Sequence, residues 1–454
     1  MSNLLLSYYG DDFTGAADAL EALVLGGIPT VLLLETPSLE YLQTHHPGVR
    51  AVGVAGISRT MSPTQMDAEL RPVLEALQSL GAPLLHYKVC STFDSAPTIG
   101  SIGHAIEIGR SLCNGRVVPL VIGLPVLMRY VVFGNLFATV ANQTYRLDRH
   151  PAMRYHPITP MDESDLRLHL GRQTASTTGL IDVLQFDQLH DTLLSHYATL
   201  AAQGCEIVLF DTLTNEHLQS IGHVIWEARS TLSPFVVGSS AIEYALTYYW
   251  RSAGIVQNQI ELHPPGAVER LIVMSGSASP ITKRQIAWAI SNGYVALQLD
   301  YVGLVNPATA QNACQAAIQA GLAILAQGRH LVFYSAVGPE DPAIVTTRQS
   351  VSQLGISQTH AALVFGQAQG LIVREILERT GLRRVCVAGG DTSGHVAQQL
   401  AISALELLTP IAPGAPLCRA YSHNRLLDGL EIAFKGGQNG RDDYFGAIQR
   451  GVAA

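Results

Sequence analysis

Short apolar runs recur along the chain. Each ends in a polar or glycine-bearing loop, and an amphipathic stretch follows. Leu4 to Tyr9 predicts a first strand; Thr14 to Leu25, with Ala and Leu at helical spacing, predicts the helix behind it. Thr30 to Leu34, Ala51 to Ile57, Leu84 to Lys88 and Val118 to Gly123 read as further strands. After Ser58-Arg59 a helix is expected from Pro63, capped by Ser62. Such alternation predicts a parallel, doubly wound sheet.

From residue 125 to 180 the alternation loosens. His150-Pro151, His156-Pro157 and Thr159-Pro160 punctuate a loop-rich insert, and Met161-Asp162-Glu163 opens a helix over 163–172. Strands resume at Gly179 to Val183, Ile207 to Phe210 and Phe235 to Gly238. Ile260 to Val268, with Pro264-Pro265-Gly266, reads as a linker. A second α/β unit follows, with strands at Leu271 to Met274, Val295 to Leu299, His330 to Tyr334, Arg384 to Val387 and Glu431 to Phe434. The expected domains are 1–262 and 263–454, with a boundary good to about ten residues.

Composition narrows the classes. The 454 residues are 48% hydrophobic and 14% charged, which fits sheets covered on both faces. A net charge of −8 offers no electrostatic footprint for nucleic acid. The longest apolar run, Val117 to Leu127, is too short to cross a bilayer. No signal peptide is read at the N-terminus. Six cysteines without a CxxC pair read as free thiols of a cytoplasmic protein. The sixteen histidines lack zinc spacing, and His150, His156, His169 and His190 sit in polar contexts. There is no G-x-S-x-G elbow, no Walker A loop, and no G-x-G-x-x-G after the first strand.

The candidate chemistry lies at strand ends, where α/β proteins bind ligands. Gly10-Asp11-Asp12-Phe13-Thr14-Gly15 places two adjacent carboxylates after the first strand. They suit binding a sugar hydroxyl, accepting its proton, or holding Mg²⁺; a helix N-cap explains them equally well. Lys88-Val89-Cys90-Ser91-Thr92-Phe93-Asp94 offers a cation, hydroxyls and an acid, and Ser58-Arg59 a bidentate carboxylate partner. Gly100-Ser101-Ile102-Gly103 precedes a helix and reads as either an anion-binding N-terminus or a simple turn. In the second unit, Ser275-Gly276-Ser277 and Gly389-Gly390-Asp391-Thr392-Ser393-Gly394 are small-residue loops running into helices. With Lys435-Gly436-Gly437 they predict a nucleotide pocket, because small residues and helix N-termini accommodate phosphates.

Together, DDFTGAAD from Asp11, SGSxSP from Ser275, GGDTSG from Gly389 and KGG from Lys435 resemble the four-carbon acid sugar kinase family over essentially the whole chain. The resemblance implies an N-terminal acid-sugar domain, a C-terminal nucleotide domain and an active site in the cleft between them. It implies ATP and Mg²⁺ as cofactors. Asp12 would accept or orient the hydroxyl proton, with Asp11 helping. Ser58, Arg59, Lys88, Ser91 and Asp94 would face the sugar acid, with Arg59 and Lys88 on its carboxylate. Ser275, Ser277, Gly389, Gly390, Asp391, Thr392, Gly436 and Gly437 would face ATP. Ser91-Thr92-Phe93-Asp94-Ser95 is similar to the 3-oxo-tetronate kinase branch, as is His156-Pro157-Ile158-Thr159-Pro160-Met161. Ser101, where the family usually has Asn, and the Gly436-Gly437-Gln438-Asn439-Gly440 end depart from it and point to a relative such as 3-oxo-isoapionate. A threonate or erythronate kinase, a non-catalytic sugar-acid sensor, and a carboxylate-activating ligase are the alternatives. A homodimer is the prior expectation for assembly.

Overall fold

In the computed structural model, residues 3–140, 142–156, 158–187, 190–257 and 259–453 are described. Pro157, read above as loop punctuation and as part of a branch motif, lies outside them. The chain separates into two compact units, Met1–Ile260 and Glu261–Ala454.

The first unit contains β1 (Leu6–Gly10), β2 (Thr30–Leu33), β3 (Ala51–Ala55), β4 (Leu85–Lys88), β5 (Val118–Val121), β6 (Arg129–Val132), β7 (Asn135–Val140), β8 (Gln143–Arg146), β9 (Thr178–Ile181), β10 (Ile207–Phe210) and β11 (Phe235–Gly238). Its main sheet runs β2-β3-β1-β4-β11-β5-β10-β9, parallel throughout. The strands are near-continuous apolar runs because helices cover both faces. From β1 the chain moves out to β2, returns to β3 beside β1, then crosses to β4 on the other side. The carboxyl end of β1 is therefore a topological switch point. Register sets Gly10 beside Ala55 and Lys88, and Lys88 beside Gly238. The loops after β3, β1, β4 and β11 thus leave one edge side by side.

Ser62 caps the helical stretch from Pro63 through a capping box with Gln65. The insert differs from the sequence reading. It contains a small antiparallel sheet, β6-β7-β8. The β6–β7 turn, Phe133-Gly134, has both residues at positive φ (50° and 79°), as a tight hairpin demands. The expected helix over 163–172 shortens to Leu166–Leu170, capped by Asp165. His150 and His169, read as polar-context residues, are buried.

The second unit contains β12 (Ile272–Ser275), β13 (Val295–Gln298), β14 (Leu331–Tyr334), β15 (Arg384–Ala388), β16 (Ile402–Ala412), β17 (Ala415–Ser422) and β18 (Leu430–Lys435). Its order is β13-β14-β12-β15-β18-β17-β16. The first five are parallel; the β16–β17 hairpin, absent from the sequence reading, adds antiparallel strands. Here the order reverses at β12, and Ser275, Ala388 and Lys435 lie abreast. Leu271, Val273, Ile286, Cys386, Phe445 and Ile448 belong to one core.

Candidate active site

Asp11 and Asp12 follow β1 directly. Asp11 is buried and held in a fork: Arg59 Nε donates to Oδ2 at 3.1 Å and Nη2 to Oδ1 at 2.7 Å. The same Nη2 donates to Asp12 Oδ1 at 2.8 Å. Asp12 caps the helix Phe13–Leu25: Oδ1 accepts the Gly15 N–H at 3.0 Å and Oδ2 the Thr14 hydroxyl at 2.8 Å. Lys88 Nζ lies 3.5 Å from Asp18 Oδ2, which also accepts the Ser240 hydroxyl. A Cβ on Gly15 would stand 2.4 Å from Asp12 Oδ1 and 2.7 Å from Lys88 Nζ, so only glycine lets the helix start this close.

Burial raises the pKa of Asp11 further than Arg59 lowers it. For Asp12, burial also acts upward, but Arg59, Lys88, the Thr14 hydroxyl and the Gly15 amide outweigh it. Asp12 is held below the usual carboxylate range and stays ionised. Burial raises Asp18 against the pull of Lys88 and Ser240. Burial lowers Lys88 and Arg59, yet the surrounding carboxylates win and both stay cationic. The cluster is thus three carboxylates around two cations, with neighbouring aspartates pushed apart in acidity.

Ser58 is fully buried, and its hydroxyl lies 2.9 Å from that of Tyr87. It braces the strand ends, and its 3₁₀ turn brings Arg59 back toward Asp11. After Lys88 the loop bends at Phe93, which has φ 58° and a buried ring edge-on to His169. The Ser95 hydroxyl donates to the Phe93 carbonyl and accepts from Gln173. These contacts fix Ser91 and Asp94, both half-buried. Asp94 Oδ1 is buried and has no hydrogen-bond partner. The Cys90 thiol is pushed up to about 11 by burial and by Asp94, so it stays protonated.

In the second unit, the loops after β12, β15 and β18 come together. Ser275 is buried with an unpartnered hydroxyl. Ser277 Oγ accepts from Thr282 Oγ1 at 3.1 Å, and Ser279, the cap of the helix Pro280–Ser291, donates to the Gly437 carbonyl. Gly389 has φ 128°, a conformation L side chains rarely adopt, and its N–H bonds the Lys435 carbonyl at 2.9 Å. Gly390 opens the helix Gly390–Gln399, Asp391 is exposed in its first turn, and Thr392 Oγ1 donates to Gln369 at 3.2 Å. Gly436 and Gly437 are half-buried. Two helix N-termini therefore follow adjacent strand ends, and the uncapped one at Gly390 offers N–H groups that suit phosphates.

Sequence reading gave no role to Asp18, Ser240, Arg129, Thr282 or Gln369, and took Lys435 only as the start of the Lys435-Gly436-Gly437 pocket loop. Lys435 is fully buried; its Nζ bonds Thr282 Oγ1 at 3.3 Å and lies 5.9 Å from the Tyr444 ring centre. Burial lowers its pKa to about 8. Among the described residues, no group of three His, Cys, Asp or Glu side chains is placed to hold a metal, and no helix is long and apolar enough to cross a membrane. A cavity of about 510 Å³ lined by Cys113, Arg116 and Arg229 opens at the amino-terminal ends of β4 and β11, away from the cluster.

Residues 6–246 match a sugar-binding N-terminal domain and residues 272–445 a nucleotide-binding C-terminal domain. The chain belongs to the four-carbon acid sugar kinase family. Acid sugar kinases resemble it over its full length. It is 44% identical to the 3-oxo-isoapionate kinase of Paraburkholderia graminis, covering 100% of this chain and 96% of that one. It is 30% identical to the 3-oxo-tetronate kinase of Pectobacterium atrosepticum, covering 99% of each. Among solved structures, a Salmonella typhimurium protein described as a putative tRNA synthase superposes with a TM-score of 0.79 at 25% identity, covering 98% of each chain. A Haemophilus influenzae protein shares the fold, with a TM-score of 0.71 at 24% identity over 98% of this chain and 99% of that one. In this acid sugar kinase, the Asp11–Asp12–Arg59–Lys88 cluster lies within the sugar-binding segment and the glycine loops within the nucleotide-binding segment.

Proposed function

We propose that this sugar-acid kinase transfers the γ-phosphoryl group of ATP to the terminal hydroxyl of a small 3-oxo acid sugar, with 3-oxo-isoapionate the first candidate. The observation that carries the chemistry is Asp12, a partly accessible carboxylate kept ionised by Arg59 and Lys88 at the switch point of the first sheet. Phosphoryl transfer needs chiefly alignment and charge neutralisation, so a fixed anion that orients the attacking hydroxyl and receives its proton suffices. Asp11 locks the Arg59 fork. Ser91 and Asp94 supply hydroxyl and acceptor groups toward the sugar, and Ser58 steadies the strand ends. Residues 1–262 take the acid sugar and 263–454 the nucleotide. Ser275, Ser277, Gly389, Gly390, Asp391, Thr392, Gly436 and Gly437 hold ATP, and Mg²⁺ arrives with it as part of the substrate. The 44% identity across the full length of a 3-oxo-isoapionate kinase supports that substrate over a four-carbon acid.

We place the enzyme in the cytoplasm, where ATP is available, and expect a homodimer. An ADP-release screen across C4 and C5 acid sugars, 3-oxo acids included, tests the reading. Turnover with a 3-oxo acid is expected. Binding without ATP consumption would replace the kinase with a sensor.

A further inference from the structure

Charge counting assigns the two ends of the substrate. Arg59 and Lys88, the sequence-based partners for the substrate carboxylate, already face Asp11, Asp12 and Asp18. A further carboxylate there would be a fourth carboxyl group around two cations that already have partners. Another guanidinium lies nearby and is not matched. Arg129 opens β6, and its Nη1 donates only to backbone carbonyls, those of Leu127 at 2.9 Å, Met128 at 3.2 Å and Thr139 at 3.3 Å. Among the described residues its buried Nε has no partner, nor has Asp94 Oδ1. Arg129 and Asp94 interact electrostatically, yet among the described residues no ion pair joins them. Arg129 opens the strand whose Val131 pairs with Thr212, just past the carboxyl end of β10, so it stands at the same edge of the parallel sheet as Asp12 and Lys88.

The surroundings hold Arg129 in place. Asp211, fully buried, accepts the N–H groups of Phe133 and Gly134 at the β6–β7 turn. Val131 and Thr212 exchange backbone hydrogen bonds at 3.0 and 2.9 Å. His150, whose pKa is lowered by burial and secondarily by Arg129, accepts the Ala152 and Met153 N–H groups on Nδ1. Its ring proton therefore sits on Nε2, a neutral donor.

We infer that Arg129 binds the carboxylate of the acid sugar, with Asp94 accepting a hydroxyl of the same substrate and His150 donating beside it, so that the opposite end of the sugar lies at Asp12. This rests on the kinase reading above and fixes the orientation of the substrate within it. A half-buried guanidinium with a buried, idle Nε–H and, among the described residues, no ion-pair partner suits a planar carboxylate.

The test uses the full-length enzyme with 3-oxo-isoapionate as the probe in steady-state kinetics. Arg129→Gln should raise the KM for the acid about 30-fold or more, the loss expected for a desolvated charged contact. The KM for ATP should stay within about twofold and kcat should fall far less than KM rises. Arg129→Lys should recover part of the loss, which a merely structural role would not predict. Asp94→Asn, which leaves the guanidinium in place, should raise the same KM about tenfold. An unchanged acid KM in folded Arg129→Gln overturns the assignment and leaves the kinase reading standing. If the arginine variants do not fold, an unchanged KM in Asp94→Asn overturns it. Failure of the wild-type enzyme to turn over any acid sugar overturns the kinase reading, and this assignment with it.

Discussion

Replacing Lys435 by methionine should stabilise the nucleotide-free second unit while weakening its hold on ATP. Lys435 is fully buried, and among the described residues no carboxylate pairs with it. Burial takes its pKa from 10.5 to about 8, a drop of about 2.5 pH units. At about 1.4 kcal/mol per unit, holding the charge there costs about 3 kcal/mol. The folded pKa lies below the unfolded one, so between pH 8 and 10.5 the unfolded chain binds more protons. Stability therefore rises with pH across that window, and the cost is full below it. Methionine keeps the stem and removes the charge. It also removes the bond to Thr282, about 1 kcal/mol, and the weak contact with the Tyr444 ring, about 0.5 kcal/mol. The net gain near pH 7 is about 1–2 kcal/mol, or ~2–8 °C in the melting of Glu261–Ala454. Calorimetry at pH 7 and pH 10.5 checks it: the variant should melt higher at pH 7, with the difference shrinking or reversing at pH 10.5. Titration calorimetry should show ATP affinity at least tenfold lower, because the positive charge behind the Gly436-Gly437 loop no longer attracts the phosphates. A variant that melts lower at pH 7, or a wild type whose stability is flat from pH 8 to 10.5, would refute the reasoning.

The remaining predictions concern both units. Asp12→Asn should lower kcat about 10²–10⁴-fold while asparagine keeps the helix cap; near-normal turnover would leave Asp12 a cap alone. Arg59→Met should destabilise the first unit by about 3–5 kcal/mol in denaturant unfolding, because the Asp11 carboxylate would stay buried without its partner. The lowered pKa of Asp12 adds stability that is present above its unfolded value and lost as pH falls through the folded one, so Asp12→Asn should flatten the acid limb of the first unit's unfolding curve. Gly389→Ala should cost about 1–3 kcal/mol at its φ of 128° and lower ATP affinity, read by calorimetry.

Much of this arrangement was legible because the candidate site groups follow directly from strands. Asp11, Asp12, Arg59 and Lys88 sit one to four residues past apolar runs, so reading the runs placed the groups. The glycine loops were visible for the same reason. Asp18 was not, because one acid on a helix reads as its polar face; only the approach of Lys88 gives it a role. Arg129 carries no motif, and its significance lies in partners it lacks. The β16–β17 hairpin escaped because Ala404-Leu405-Glu406-Leu407-Leu408 is built from good helix formers, and cross-strand pairing overrides that preference. The β6–β8 sheet escaped because its strands are short and the surrounding prolines suggest loop.

Transfer of a phosphoryl group to an alcohol of an acid sugar leaves a distinct phosphorus signal. The measurement that tests it most directly is ³¹P NMR of the reaction of the purified enzyme with MgATP and 3-oxo-isoapionate. ADP and a phosphate monoester are expected in equal amounts, the new signal coupled to the protons of a CH₂ group. An acyl phosphate, AMP with pyrophosphate, or ATP left intact would contradict it.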